Sequence, residues 1–247
     1  MAYQPTRPTR PEAVAPGPTP IVLVPGLLAT ARLYAAQVPE LWRYGPVTIA
    51  DHTRDDAMDA IARRILADAP AHFALGGLSM GGYVALEIMR QAPERVTRLA
   101  LLDTSARPDT EAQRERRVHQ IGLATSGRFD EVPDQQLPLL VHADRRDDDV
   151  LRRLVHLMAD ETGPAAFVRQ QRAITGRVDS RADLAAIRCP TLVLVGDGDA
   201  LTPPDLAAEL AEGIDGAHLV VVPDCGHLSS VERPEQVTTA LVEWLAY

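Results

Sequence analysis

Phe73-Ala74-Leu75-Gly76-Gly77-Leu78-Ser79-Met80-Gly81-Gly82 is the stretch that decides how this chain is read. An apolar block runs into Gly-x-Ser-x-Gly and on into a segment, 82–90, whose Val84, Leu86 and Ile88 give a helical pattern. A continuous apolar run of this length reads as a strand buried on both faces. The following glycines predict a turn too tight for a side chain at 77 or 81. Strain there lifts the Ser79 hydroxyl from the sheet edge and sets it at a helix N-terminus, where backbone N–H groups favour negative charge.

Working outward, similar apolar blocks recur at 21–24, 47–50, 99–102, 191–195 and 219–222. Each ends in Gly, Asp or Pro, and helical patterns at 58–69, 205–212 and 234–245 lie between most of them. This alternation predicts an α/β fold: an open, mostly parallel sheet of about six strands with flanking helices. Between Thr104 and Pro190 no buried strand is evident, although connections ordinarily run about 2–6 residues. Helical patterns at 110–125, 134–142, 148–161 and 164–175 fill that interval. The expected organisation is a core of 21–104 and 190–247 and a helical lid of 105–189 over the carboxyl edge of the sheet. Residues 1–20 hold six prolines and few large apolar side chains, so a loose arm is expected there.

Composition narrows the function. The 247 residues are 46% apolar and carry a formal charge of −9, which suits a globular protein with a small-molecule substrate and no nucleic-acid partner. All 25 basic residues are arginine, so lysine Schiff-base chemistry and a lysine-bearing phosphate loop are excluded. Cys189 and Cys225 are too few for a disulfide scaffold or a four-thiolate zinc site, and reduced thiols are expected. No histidine pair has the spacing of a metal-binding helix, so neither a metal nor a cofactor is expected. Arg7 and Arg10 are followed by no apolar stretch, and the charge-free segment after them is broken by prolines. No signal peptide or membrane span is therefore expected, and a cytoplasmic location is.

A serine hydroxyl is a poor nucleophile without a base. The candidate base is His227, in Asp224-Cys225-Gly226-His227-Leu228, which follows the last predicted strand and so falls at the same sheet edge as Ser79. The candidate acid is Asp199, with Asp197 two residues earlier as its competitor and Asp103 as a third choice. An oxyanion hole needs two convergent donors; the N–H of Met80 is one by position, and Leu27 in Pro25-Gly26-Leu27-Leu28 is placed to be the other. Leu28, Tyr34, Trp42 and His142 are candidates for the substrate pocket, as is Tyr83.

The Gly-x-Ser-x-Gly turn, the chain order Ser79, Asp199, His227 and a helical insertion before the acid-bearing strand together resemble the α/β-hydrolase superfamily. The likeness is to its small lid-bearing serine esterase, lactonase and C–C hydrolase branch, and extends over nearly the whole chain from Ile21. It implies Ser79 as nucleophile, Asp199 as acid, His227 as base, and Leu27 and Met80 as oxyanion donors. The implied activity is cofactor-free hydrolysis of a carboxylic ester or lactone through an acyl-enzyme. The alternatives are C–C bond hydrolysis of β-diketone-like substrates and a non-catalytic ligand receptor on the same scaffold. Two departures stand out. Pro25-Gly26 occupies the place of the family's common His-Gly, and the two antiparallel strands that often open the sheet have no visible counterpart.

Overall fold

The computed structural model describes residues 18–246, so most of the predicted arm at 1–20 lies outside the described residues. The elements follow in the order β1 (Ile21–Val24), α1 (Val38–Leu41), β2 (Val47–Ile49), α2 (Met58–Asp68), β3 (Phe73–Leu78), α3 (Met80–Gln91) and β4 (Val96–Leu102). Three helices come next: α4 (Glu111–Thr125), α5 (Glu131–Leu140) and α6 (Asp149–Thr175). The chain then returns to β5 (Thr191–Gly196), α7 (Pro204–Gly213), β6 (His218–Val222), α8 (Ser229–Glu232) and α9 (Pro234–Ala246). The six strands form one sheet in the order β2-β1-β3-β4-β5-β6, and every neighbouring pair is parallel. The expected α/β architecture is thus observed, with no strand before β1 among the described residues.

Period-two alternation builds the core. Val22, Val24, Leu75, Leu99, Leu101, Val193 and Val195 face one side, against Ile61 and Ile65 of α2, Val84 and Ile88 of α3, and Leu210 of α7. Ile21, Leu23, Ala74, Leu78, Ala100, Leu102 and Leu194 face the other, against Leu41 of α1 and Leu241 and Trp244 of α9. Helices on both faces require the central strands to be apolar at every position, and β1, β3 and β5 are buried from end to end. The blocks at 47–50 and 219–222 differ from that expectation: they form the edge strands β2 and β6, where Thr48 is exposed and Val221 is 46% exposed. An edge strand with one partner has a flank open to water, so a uniformly apolar run there does not imply burial.

Helices α4 to α6 occupy the interval between β4 and β5. Capping sets their starts: Thr110 and Gln113 form a reciprocal capping box on α4, and Asp148 accepts from the N–H groups of Val150 and Leu151 at the start of α6. The two helical patterns expected at 148–161 and 164–175 are a single run broken at Gly163 (φ 74°, ψ 162°), just before Pro164. These helices share a small apolar cluster of Leu123, Ala124, Val132, Ala159 and Phe167. Leu28, from the loop after β1, joins that cluster and ties the helices to the carboxyl end of the sheet.

Candidate active site

Four loops at the carboxyl ends of β1, β3, β5 and β6 converge at this edge. The order of strands reverses around β1 and β3, and open α/β sheets bind ligands at such a switch point. The turn between β3 and α3 places Ser79 at φ 56°, ψ −114°, a backbone region that L-residues rarely adopt. A Cβ at Gly77 would lie 2.2 Å from the Gly81 carbonyl oxygen, and one at Gly81 would lie 2.0 Å from that of Val24. Only glycine fits at either position, so the turn clamps Ser79 between β1 and α3.

His227 and Ser79 line the same cavity, which has a volume of about 70 Å³. No hydrogen bond joins the Ser79 hydroxyl to His227 in this structure; such bonds are often long before a substrate arrives. The imidazole Nδ1 of His227 lies 2.7 Å from Asp199 Oδ2, and both side chains are buried. The other oxygen of Asp199 accepts the N–H groups of Leu201 at 2.8 Å and Thr202 at 2.9 Å, while the Thr202 hydroxyl donates to Oδ2 at 2.7 Å. Asp197, the competing acid, instead accepts the N–H of Cys225 at 3.1 Å. Of the two loop carboxylates, then, Asp199 is the one brought to the histidine.

The electrostatics follow from burial and pairing. Burial pushes the Asp199 carboxyl up, but the charge of His227 and the hydrogen bonds from His227 and Thr202 together hold it below its ordinary value. Burial pushes His227 down, yet the charge of Asp199, its hydrogen bond, and the charges of Asp103 and Glu232 leave it above its ordinary value. Asp103, the third choice for the acid, ends β4 between these groups. Burial first, and the charge of Asp199 second, raise its carboxyl well above the usual range. Its oxygens accept the N–H of Gly196 at 3.1 Å and of Ser229 at 3.3 Å, so it bonds to the start of the acid loop and to the residues after His227.

The N–H of Met80 begins α3 and so has no intrahelical acceptor. The N–H of Leu27 likewise makes no hydrogen bond among the described residues, and Leu27 lines the cavity. The next N–H, of Leu28, donates to Gln170 Oε1 of α6 at 3.2 Å. Leu28 has φ 57°, an unusual conformation for a branched residue. His52 Nε2 lies 2.9 Å from the Gly26 carbonyl oxygen and 3.0 Å from Gln170 Nε2. The loop after β1 is thereby held from two sides.

Four of the expected pocket residues lie elsewhere. Leu28 packs in the small cluster beneath the helices. Tyr34 is fully buried, and its hydroxyl donates to the Val24 carbonyl at 3.0 Å. Trp42 is 64% exposed. His142 packs against the acid loop, close enough that a Cβ on Gly198 would lie 2.3 Å from its ring. Tyr83 does line the cavity. Most of the polar wall is not among the expected residues: Gln113, Arg116, Arg117 and Gln120 of α4, and Gln136 of α5. The α4 residues have the i, i+3, i+4, i+7 spacing of an inward stripe, but their polarity hid it. Gly226 is also explained by the insertion. A Cβ there would lie 2.3 Å from the His142 backbone nitrogen, so close approach by the segment after α5 requires the glycine.

Among the described residues no cluster of three or more His, Cys, Asp or Glu could hold a metal ion, and no helix is long and apolar enough to cross a membrane. Cys189 and Cys225 are free thiols.

Comparison with known proteins places these features in context. The sequence profile of the alpha/beta hydrolase family matches residues 21–240. BpoC of Mycobacterium tuberculosis, provisionally named a non-heme bromoperoxidase, is 30% identical over 181 residues. That match covers 69% of this chain and 66% of BpoC, so this chain spans just under two thirds of that relative's length. A thermophilic esterase from Thermogutta terrifontis superposes with a TM-score of 0.83 at 30% identity, over 92% of this chain and 89% of the esterase. The enol-lactonase of Burkholderia xenovorans LB400 superposes with a TM-score of 0.84 at 25% identity, over 94% of this chain and 93% of the lactonase.

Proposed function

This chain belongs to the alpha/beta hydrolase family, and from that premise we propose that it hydrolyses a carboxylic ester or lactone through an acyl-enzyme on Ser79. One observation carries the reading: His227, bonded through Nδ1 to buried Asp199, lines the same cavity as a serine in a strained strand-to-helix turn. Asp199 occupied at Nδ1 leaves Nε2 of the imidazole as the atom that takes a proton. The esterase and lactonase that share the fold over most of their length support the same class of reaction.

In this mechanism Ser79 Oγ bonds to the substrate carbonyl carbon as its proton passes to His227 Nε2. The N–H groups of Leu27 and Met80 hold the oxyanion. Collapse breaks the carbonyl–oxygen bond to the leaving alkoxide, which takes the proton from Nε2; in a lactone it stays tethered. Water then adds to the acyl carbon, giving a proton to Nε2, and that proton returns to Ser79 Oγ as the acid departs. Helices α4 to α6 act as a lid. The cavity they cover has a volume of about 70 Å³, small beside the ~300–1,000 Å³ of ligand pockets.

The test is labelling by a fluorophosphonate together with turnover of 4-nitrophenyl esters and simple lactones. Labelling and hydrolysis are expected in the natural protein, and loss of both in Ser79→Ala with an unchanged melting temperature. A Ser79→Ala variant that keeps its turnover would overturn the reading.

A further inference from the structure

The face of α4 turned to the cavity is polar throughout, with Gln120 buried, Gln113 and Arg117 half-buried and Arg116 exposed at the rim. Gln113, Arg116, Arg117 and Gln120 have the spacing that elsewhere turns apolar side chains onto the sheet, and all four line the cavity that holds Ser79. The wall of that cavity contains no Asp or Glu, although the chain as a whole carries a net charge of −9.

The positive charge there is not cancelled. Arg117 and Arg177 share one carboxylate, Asp109, which accepts from Arg117 Nε at 2.6 Å and from Arg177 Nη1 at 2.8 Å. Arg177 also lies 4.2 Å over the ring of Tyr83, itself part of the wall. Arg116 forms no ion pair among the described residues; burial and the charge of Arg117 push its guanidinium below the ordinary value, and it remains a cation. Arg117 and Arg177 thus share one carboxylate, and Arg116, beside Arg117, has none of its own among the described residues.

The amide orientations are settled by groups that can only donate. Arg117 Nη1 donates to Gln171 Oε1 at 2.8 Å, so the other end of Gln171 is its nitrogen, which donates to Gln120 Oε1 at 2.9 Å. Gln136 Nε2 donates to the same oxygen at 3.3 Å. The nitrogen of Gln120 is therefore a donor without an acceptor among the described residues. In the same way the backbone N–H of Thr110 occupies Gln113 Oε1 at 2.8 Å, and Gln113 Nε2 is left as a donor. A guanidinium and two amide nitrogens on one helix face make an array for a planar anion.

We propose that the substrate is an ester or lactone bearing a second, ionised carboxylate, which Arg116 holds with the amide nitrogens of Gln113 and Gln120. This rests on the hydrolase reading above and names the substrate class for the same site. A neutral ester fills the apolar floor formed by Leu78, Leu140 and Leu228 and leaves the α4 donors to water. An anionic one satisfies both ends of the cavity at once.

The experiment compares kcat/KM for two matched pairs. In one the charge is on the acyl side: mono-4-nitrophenyl glutarate against its methyl-capped diester. In the other it is on the alcohol side: the butyrate ester of glycolate against that of methyl glycolate. The expected anion-to-neutral ratio is about tenfold in at least one pair, ~1.4 kcal/mol, and it falls with added salt. Arg116→Gln is expected to bring the ratio to within about twofold of unity. Arg114→Gln, on the exposed face of α4, is expected to keep it. A ratio near one in both pairs, or one that survives Arg116→Gln, overturns the proposal. Neutral esters turned over with no anion preference overturn this inference alone. Fluorophosphonate labelling without turnover of any member also overturns it. Neither labelling nor turnover removes the hydrolase reading, and this inference with it.

Discussion

The sheet and the helices α4 to α6 hold their residues by different means. The strands are apolar at every central position and sandwiched between helix layers, whereas α5 and α6 reach that core only with one side, through Leu137, Leu151, Val155, Met158 and Ile174, and α4 to α6 share a small cluster of their own around Phe167. The helices add charge to that packing: Asp109 is buried between Arg117 and Arg177, and several ion pairs lie at their surface. Val118, Val150 and Leu157 are left exposed on them. Ser79, Asp199 and His227 all sit on loops rooted in close-packed strands. The polar wall of the cavity comes from the helices. The difference lies in what each layer places at the cavity: the strand-rooted loops bring Ser79 and His227, and the helices bring most of its polar wall.

The largest expected effect breaks the strand-rooted side. Asp199→Asn removes the charge that orients and stabilises the His227 imidazolium, and kcat/KM is expected to fall by about 10³–10⁴ with no loss of native circular dichroism. Asp197→Asn, on the same loop but bonded to Cys225, is expected to stay within about threefold of the natural protein. Equal losses in the two variants would erase the distinction between these carboxylates.

Next in size, Phe167→Ala empties the centre of the small cluster and stacks nothing on Phe129, whose ring lies 5.6 Å away. It is expected to cost about 3–5 kcal/mol locally. Hydrogen exchange should then accelerate in α4 to α6 while β3 and β4 stay protected. Protection lost together in both regions would show that they unfold as one unit.

A third expectation concerns pH. His227 accepts a proton only when neutral, so kcat/KM must rise as pH rises through its pKa. Asp199, Asp103 and Glu232 outweigh burial and raise that pKa above 6.5, so the midpoint of the acid limb is expected above 6.5. In any residual activity of Asp199→Asn the midpoint should move to lower pH. An acid limb that does not move would detach the titration from this pair.

The smallest effect probes the seam between the two layers. Gln170→Ala frees the N–H of Leu28 and one contact of His52. A loss of about 1 kcal/mol of positioning corresponds to a several-fold drop in kcat, with KM for a neutral ester nearly constant. An unchanged kcat would mean that the loop after β1 keeps its shape without α6.

Much of this was legible in the amino-acid order. Short apolar runs bounded by Gly, Asp and Pro marked all six strands, and in β1, β3 and β5 the reason is burial on two faces, which leaves little room for polar side chains. Gly77 and Gly81 bracketed Ser79 because backbone approach at that turn excludes a Cβ. The edge position of β6 was not legible: an apolar run looks the same whether one neighbour or two lie beside it. Nor were Tyr34 and Trp42 separable by type; one fills the core and the other faces water.

What the sequence determined alone is therefore local and periodic: the strands, the strained serine turn, the order in which serine, acid and histidine arrive, and the helical character of 105–189. Tertiary structure decided which carboxylate meets His227, that Gly226 is needed against the segment after α5, and that a glutamine–arginine stripe turns inward over Ser79. These contacts join residues far apart in the chain, and hydrogen-bond geometry with a direction and a length has no signature in spacing. A polar stripe is the plainest case: hydrophobic periodicity reports where apolar side chains go, and it is silent about a polar face that lines a cavity.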